Sequence, residues 1–278
     1  MRYLAGFLLA SAVAFGQSGS PNVVNARLET RAFSGDLSAQ VKSSAPAWFG
    51  YAIKTKRGDH DSCCWSGNGG GCWLEDNRSG AVINTRPTQP IQLEGSDTVA
   101  LLVRAENNQI QKIHIYSLEC PLDAGGLPFT WITGVPAAKS VEFLDQTIHQ
   151  DISNRVSNGA ILALSMQEDP AALDALVKLA RSDASPHIRE QALFWLAQKA
   201  GARASATITD AILNDPDTNV KKRAVFALSQ LPKDEGVPKL IEVARTQRNP
   251  EVRKQAFFWL GQSKDPRALA YIEEVLTK

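Results

Sequence analysis

Apolar residues in the C-terminal half of the chain recur every 32 positions without a gap. Val156, Ile188, Val220 and Val252 share one position of this repeat, Ala160, Ala192, Ala224 and Ala256 a second, and Leu164, Leu196, Leu228 and Leu260 a third. Leu176, Ile208, Leu240 and Ile272 also match, whereas Leu173, Val237 and Leu269 are interrupted by Ser205. A period of this length marks a solenoid, whose units bury a core only by stacking on one another. Within a unit, Ile188, Ala192, Trp195 and Leu196 fall at helical spacing, and so do Ile208, Ala211 and Ile212. Each unit is therefore predicted to be two short helices. Gly201, Pro170, Pro232 or the Asp265-Pro266 pair separates them, since the residue before proline avoids the helical region. Ser140 to Ile148 is a further amphipathic helix, placed to cap the stack.

Ahead of this region the pattern changes to alternation. Val24, Ala26, Leu28, Thr30 and Ala32 alternate with Asn25, Arg27, Glu29 and Arg31, which predicts a half-buried strand. Leu37, Ala39 and Val41 predict another, as do Trp48 to Lys56, Ile91 to Leu93 and Phe129 to Ile132. Thr98 to Glu106 and Gln109 to Leu118, joined by Asn107-Asn108, predict a hairpin, because asparagine tolerates positive φ. The predicted fold is two domains, an all-β antiparallel sandwich or small barrel followed by an all-α helical solenoid. The β-rich domain is expected over residues 17–136 and the solenoid over 137–278, joined by an exposed segment at 134–139 that proteases should cut first, leaving a helical fragment from near Lys139 that melts cooperatively.

The sequences Ala-Leu-Phe-Trp-Leu-Ala from Ala192, Ala-Val-Phe-Ala-Leu-Ser from Ala224 and Ala-Phe-Phe-Trp-Leu-Gly from Ala256 resemble HEAT repeats, in particular the short type found in phycobilisome-lyase-like proteins. The acid-to-base ladder of that family is partly present, with Asp183 before Arg189 and Asp215 before Lys221. It is lost where Gln247 precedes Arg253 and where Asp151 precedes Ser157. The resemblance implies a HEAT-like solenoid from about residue 155 and carries no activity with it. Among HEAT-like enzymes, deoxyhypusine hydroxylase binds iron through His-Glu pairs. Here His149 precedes Gln150 and His187 precedes Ile188, so that route to an oxidase is closed.

Residues 1–16 read as a signal peptide. Arg2 is followed by an apolar run from Leu4 to Phe15, too short to span a membrane, and by small-x-small cleavage options at Ala12 to Ala14 and Ala14 to Gly16. The mature protein is then exported, to the periplasm or beyond, with no membrane span. In that setting Cys63, Cys64, Cys72 and Cys120, an even count, point to disulfides; vicinal pairing of Cys63 with Cys64 would be strained. The alternative is a metal or redox site using these thiolates with Asp59, His60 and Asp61, although no Cys-x2-Cys knuckle is present. The glycine loop Ser66 to Gly71, flanked by Trp65 and Trp73, lacks the Lys-Ser/Thr ending of a phosphate loop. It is either a tethered loop or an aromatic tip for an envelope polymer.

Apolar residues make up 44% and charged residues 21% of the chain, enough for a core, and the net charge of +1 gives no steering toward nucleic acid. No nucleophile elbow or His-Glu-x-x-His helix is present, so no catalytic residue, metal site or cofactor is assigned. The binding candidates are Phe194, Phe226 and Phe258, with Leu162 at the equivalent position. They form a ladder about 140° from the core stripe, flanked by Lys222 and Lys254, with Glu190 breaking the basic row. The ladder either packs adjacent repeats together or lines a groove for a protein or peptide partner. The first reading is thus a non-catalytic binding scaffold of the cell envelope. The alternative is an enzyme or enzyme accessory using the cysteine site of the β-rich part.

Overall fold

In the computed structural model, residues 21–55, 72–75, 97–150, 154–199 and 202–277 are described. The signal peptide, Ile91 to Leu93, Asp59 to Asp61, Cys63 to Trp65 and the glycine loop lie outside them.

The N-terminal part holds two small sheets. One is ordered β1-β7-β4, from β1 (Val23–Val24), β4 (Cys72–Trp73) and β7 (Leu122–Asp123). The other is ordered β2-β8-β3-β5-β6, from β2 (Arg27–Ala32), β3 (Ala47–Lys54), β5 (Thr98–Glu106), β6 (Gln109–Ser117) and β8 (Pro128–Thr133). The expected antiparallel arrangement is corrected to a mixed one. β3–β5 and β5–β6 are antiparallel, but β8 pairs in parallel with both β2 and β3, as does β7 with β1 and β4. The predicted hairpin is β5–β6, with Asn107 and Asn108 at φ 53° and 57° in its turn. β2 is not half-buried: it is an edge strand exposed along its whole length. Leu37 to Gln40 is not a strand but a helical turn, α1, whose N-cap Asp36 accepts the Ala39 amide. Leu37 and Val41 are one helical turn apart, and both are buried.

The five-stranded sheet is apolar on both faces. Trp48, Ala100, Leu102, Phe129 and Trp131 pack with Cys72 and Leu122 of the smaller sheet and with the flanking Leu74 and Cys120. Phe49, Tyr51, Leu101, Val103 and Ile132 pack on the helices. Both described cysteines are fully buried, and neither is a free thiol.

Helix α2 (Ala137–Ile148) follows, then four helix pairs: α3 (Arg155–Met166) with α4 (Pro170–Ser182), α5 (Pro186–Gln198) with α6 (Ala202–Asn214), α7 (Thr218–Ser229) with α8 (Lys233–Thr246), and α9 (Pro250–Gln262) with α10 (Pro266–Leu276). The 32-residue repeat is thus the helix pair. Its valine, alanine and leucine positions are buried in all four units. Carboxylate or amide N-caps at Asp169, Asp217, Asn249 and Asp265 fix where α4, α7, α9 and α10 begin. The first helices, α3, α5, α7 and α9, pack side by side, and β6 lies against α3 where the first helix of a preceding unit would sit. At that contact Gly159 faces Ile113 so closely that a Cβ would stand 3.0 Å from the Ile113 Cβ. The change of architecture at residue 136 is therefore not a break in packing, because one core runs from Leu37 to Tyr271.

Polar contacts between units overlie this core. At the C-cap of α2, His149 Nδ1 lies 2.8 Å from the Asp145 carbonyl oxygen and Nε2 lies 2.8 Å from an Asp183 carboxylate oxygen. Burial disfavours the imidazolium, but the two acceptors together outweigh it and raise the pKa above 6.5. With the folded value above the unfolded one, this contribution to stability is complete below the unfolded pKa of about 6.5 and disappears as pH rises through the folded value. NMR titration should find His149 titrating above free histidine, and Asp183→Asn should bring it down. An unshifted His149 would show that the contact does not hold in solution.

Candidate binding face

The ladder positions lie on the first helices, away from the core stripe. Leu162, Phe194 and Phe226 are half-buried, and Phe258 is 53% exposed. Across the unit boundary the rings of Phe194 and Phe226 stack, 6.1 Å apart and 4° from parallel. Phe226 meets Trp259 at 4.9 Å; Trp195 packs edge-on to Phe194 and Trp259 edge-on to Phe258, each at 4.9 Å. Five rings from α5, α7 and α9 therefore form one continuous ridge. The rings contact one another between repeats, and Phe258 at the end of the ridge is exposed.

Arg223, one turn before Phe226, is the residue that sequence reading missed. Its guanidinium lies 4.9 Å from the Phe194 centroid and 5.1 Å from that of Phe226, alongside the stacked pair and in reach of both rings. Its position three residues before the ladder phenylalanine was the available signal, hidden in a Lys221-Lys222-Arg223 run that reads as a solvated face. Lys222 is half-buried beside it, and Lys254 is exposed one unit further on. Neither the Arg223 Nε nor the Trp259 Nε1, both buried, has a hydrogen-bond partner among the described residues.

Trp259 also forms one wall of a groove of about 270 Å³, floored by Leu228, Leu231, Val237 and Leu240 and rimmed by Ser229, Gln230, Lys233, Gln262 and Ser263. Gly236 lets the start of α8 approach the end of α7 there, since a Cβ would stand 2.4 Å from the Leu228 carbonyl oxygen. Ridge and groove are continuous through the Trp259 ring.

Other chemistry-bearing groups are engaged structurally. Ser205 is 1% exposed, and Lys239 of the following unit contacts its hydroxyl and Glu235, which accounts for the polar exception in the repeat. Arg189 is paired with Asp215 of the next unit, not with Asp183, whose backbone carbonyl it also engages. His114 packs between Trp48 and Tyr116, and His187 contacts Asn158. Among the described residues no group of His, Cys, Asp and Glu is placed to hold a metal ion, and no helix is long and apolar enough to cross a membrane.

Residues 205–278 match the family model for HEAT repeats, and the C-terminal part is a HEAT-like helical solenoid following a β region. Human deoxyhypusine hydroxylase, solved in complex with glycerol, is 19% identical, with 45% of this chain and 43% of that chain covered and a TM-score of 0.36. The chain thus spans less than half of that protein's length. The complex of CpcE and CpcF of phycocyanin lyase from Nostoc sp. PCC7120 is 18% identical, with 51% and 91% covered and a TM-score of 0.40. No curated protein matches the chain. No activity of this chain follows from these likenesses.

Proposed function

We propose that this protein is a non-catalytic scaffold that captures a protein or peptide segment on the aromatic ridge of α5, α7 and α9. The observation that carries the reading is the ridge itself, five connected rings with an open edge beside Arg223, Lys222 and Lys254. A connected aromatic surface with basic neighbours is suited to peptide recognition. HEAT repeats at residues 205–278 accord with a role in protein interaction. On this reading the chain is exported after removal of residues 1–16 and works in the cell envelope. Disulfides joining Cys63 and Cys64 to Cys72 and Cys120 close the β-rich part; the burial of Cys72 and Cys120 in one cluster supports this. The β-rich unit, residues 17–136, serves the solenoid of 137–278 as its cap.

The test pairs a melting curve with a capture assay against envelope extract. Phe194→Ser with Phe226→Ser should abolish capture and lower the melting temperature by several degrees, because a stacked aromatic pair contributes about 0.5–1.5 kcal/mol beyond its burial. Phe258→Ser, at the most exposed rung, should weaken capture with little change in melting. Capture unchanged in both variants would refute the ridge as the binding surface.

A further inference from the structure

We infer that the segment this ridge captures is an acidic-apolar peptide, with a carboxylate paired to Arg223 and a neighbouring apolar side chain seated in the groove beneath Trp259. The inference rests on the proposed binding face and specifies what fits it.

Arg189, Arg203 and Arg267 each form an ion pair with an aspartate of an adjoining unit, at Asp215, Asp174 and Asp234. Arg223 makes no ion pair or hydrogen bond among the described residues and touches the rings of Phe194 and Phe226 instead. The two stacked rings shield one side of the guanidinium from water, and its buried Nε has no partner among the described residues, but the rings accept no conventional hydrogen bond from its donors. The donors lie in the guanidinium plane, and a carboxylate is the group that meets two of them in parallel. Local apolar surroundings strengthen such a pair relative to one formed in open solvent. Lys222 and Lys254 add charge of the same sign, against the single acidic group Glu190 in their row.

The second half of the signature comes from the groove. Its floor is aliphatic, one wall is Trp259, and about 270 Å³ accommodates a leucine or phenylalanine side chain. The Phe226 ring contacts both Arg223 and Trp259. An extended segment advancing about 3.3 Å per residue would therefore place its acidic and apolar residues within a few positions of each other. Arginine and aromatic rings also suit single-stranded nucleic acid, but an aliphatic groove and a net charge of only +1 favour a peptide.

A random peptide library displayed on phage, selected against the immobilised full chain, tests this directly. Enriched peptides should carry Asp or Glu within a few residues of Leu, Ile or Phe. In calorimetric titrations of the synthesised peptides, Arg223→Gln should weaken binding by about tenfold or more, as should replacing the peptide's acid with its amide. Arg223→Lys, which retains charge and stem but loses the planar fork, should recover binding only in part. Enriched peptides without an acid, or binding indifferent to Arg223→Gln and to Arg223→Lys, would overturn the acidic signature. The binding face itself would survive that result provided Phe258→Ser still weakened those peptides. Indifference to Phe258→Ser as well, or no enrichment at all, would remove both. Oligothymidine that binds and competes with the selected peptides would replace the peptide reading with nucleic-acid binding.

Discussion

Replacing Arg189 with alanine should lower the unfolding free energy by about 3–5 kcal/mol, the usual consequence of removing one partner from a buried ion pair. The pair spans two units. Arg189 Nε lies 2.7 Å from one carboxylate oxygen of Asp215 and Nη2 lies 3.0 Å from the other, with side-chain exposures of 8% and 5%. Hydrogen bonding to Asp215 more than offsets the burial of Arg189 and holds its pKa above the ordinary value. The guanidinium also donates to the Asp183 carbonyl, while Asp215 accepts the backbone amide of Asp217 just before α7 begins. Arg189→Ala thus strands a buried carboxylate at the joint between α5 and α7 and removes a bond that fixes the preceding turn. Arg203→Ala is the matched control. Its side chain is 57% exposed and that of its partner Asp174 59%, so the expected loss is under about 1 kcal/mol. Replacing Arg189 by Met and Asp215 by Leu together should recover much of the loss, because no unpaired charge then remains buried. Urea denaturation decides the matter: equal effects at Arg189 and Arg203 would mean that burial of the pair at the joint contributes nothing of its own.

That pair also marks where sequence reading stops. The 32-residue period is legible because each unit buries the same face, so Val220, Ala224 and Leu228 repeat the chemistry of Ile188, Ala192 and Leu196. The same periodicity aligned Asp183 with Arg189 inside one unit. The charge partner is Asp215 in the next, because stacking sets the two side by side and the intra-unit contact is to a backbone carbonyl. The Asn107-Asn108 hairpin is legible because its determinants are local. The parallel pairing of β8 with β2 and β3 is not, since nothing local links Phe129 to Leu28 and Trp48. Leu37, Ala39 and Val41 fit alternation over three positions, yet Leu37 and Val41 equally fit one helical turn, and the Asp36 cap decided between them. At the candidate site the phenylalanines are visible as a ladder. Arg223 is not, because its setting depends on two rings from different units stacking beside it.

Removing the sheet should disable the solenoid, so the helical fragment beginning at Ala137 is not expected to behave as an independent domain. The junction from Gly134 to Lys139 is largely exposed, and a protease can still nick it. The halves should then remain associated, because they share a core. Phe143 of α2 packs edge-on to Tyr51 of β3, and the Tyr51 hydroxyl lies 3.0 Å from the buried Ser140 hydroxyl. On α3 the narrow face at Gly159 fits against Ile113 of β6. Each large apolar side chain uncovered on removal of the sheet costs about 1.5–3 kcal/mol, and repeat arrays without a polar cap lose solubility as well as stability. The fragment should elute as oligomers or aggregate, and should melt broadly and far below the full chain, in light scattering after size exclusion and in circular dichroism. Gly159→Leu in the full chain should move in the same direction, prying the sheet from α3 without deleting it. A monomeric fragment with a sharp transition within a few degrees of the full chain would instead establish the solenoid as self-sufficient and reduce the β-rich part to an appended module.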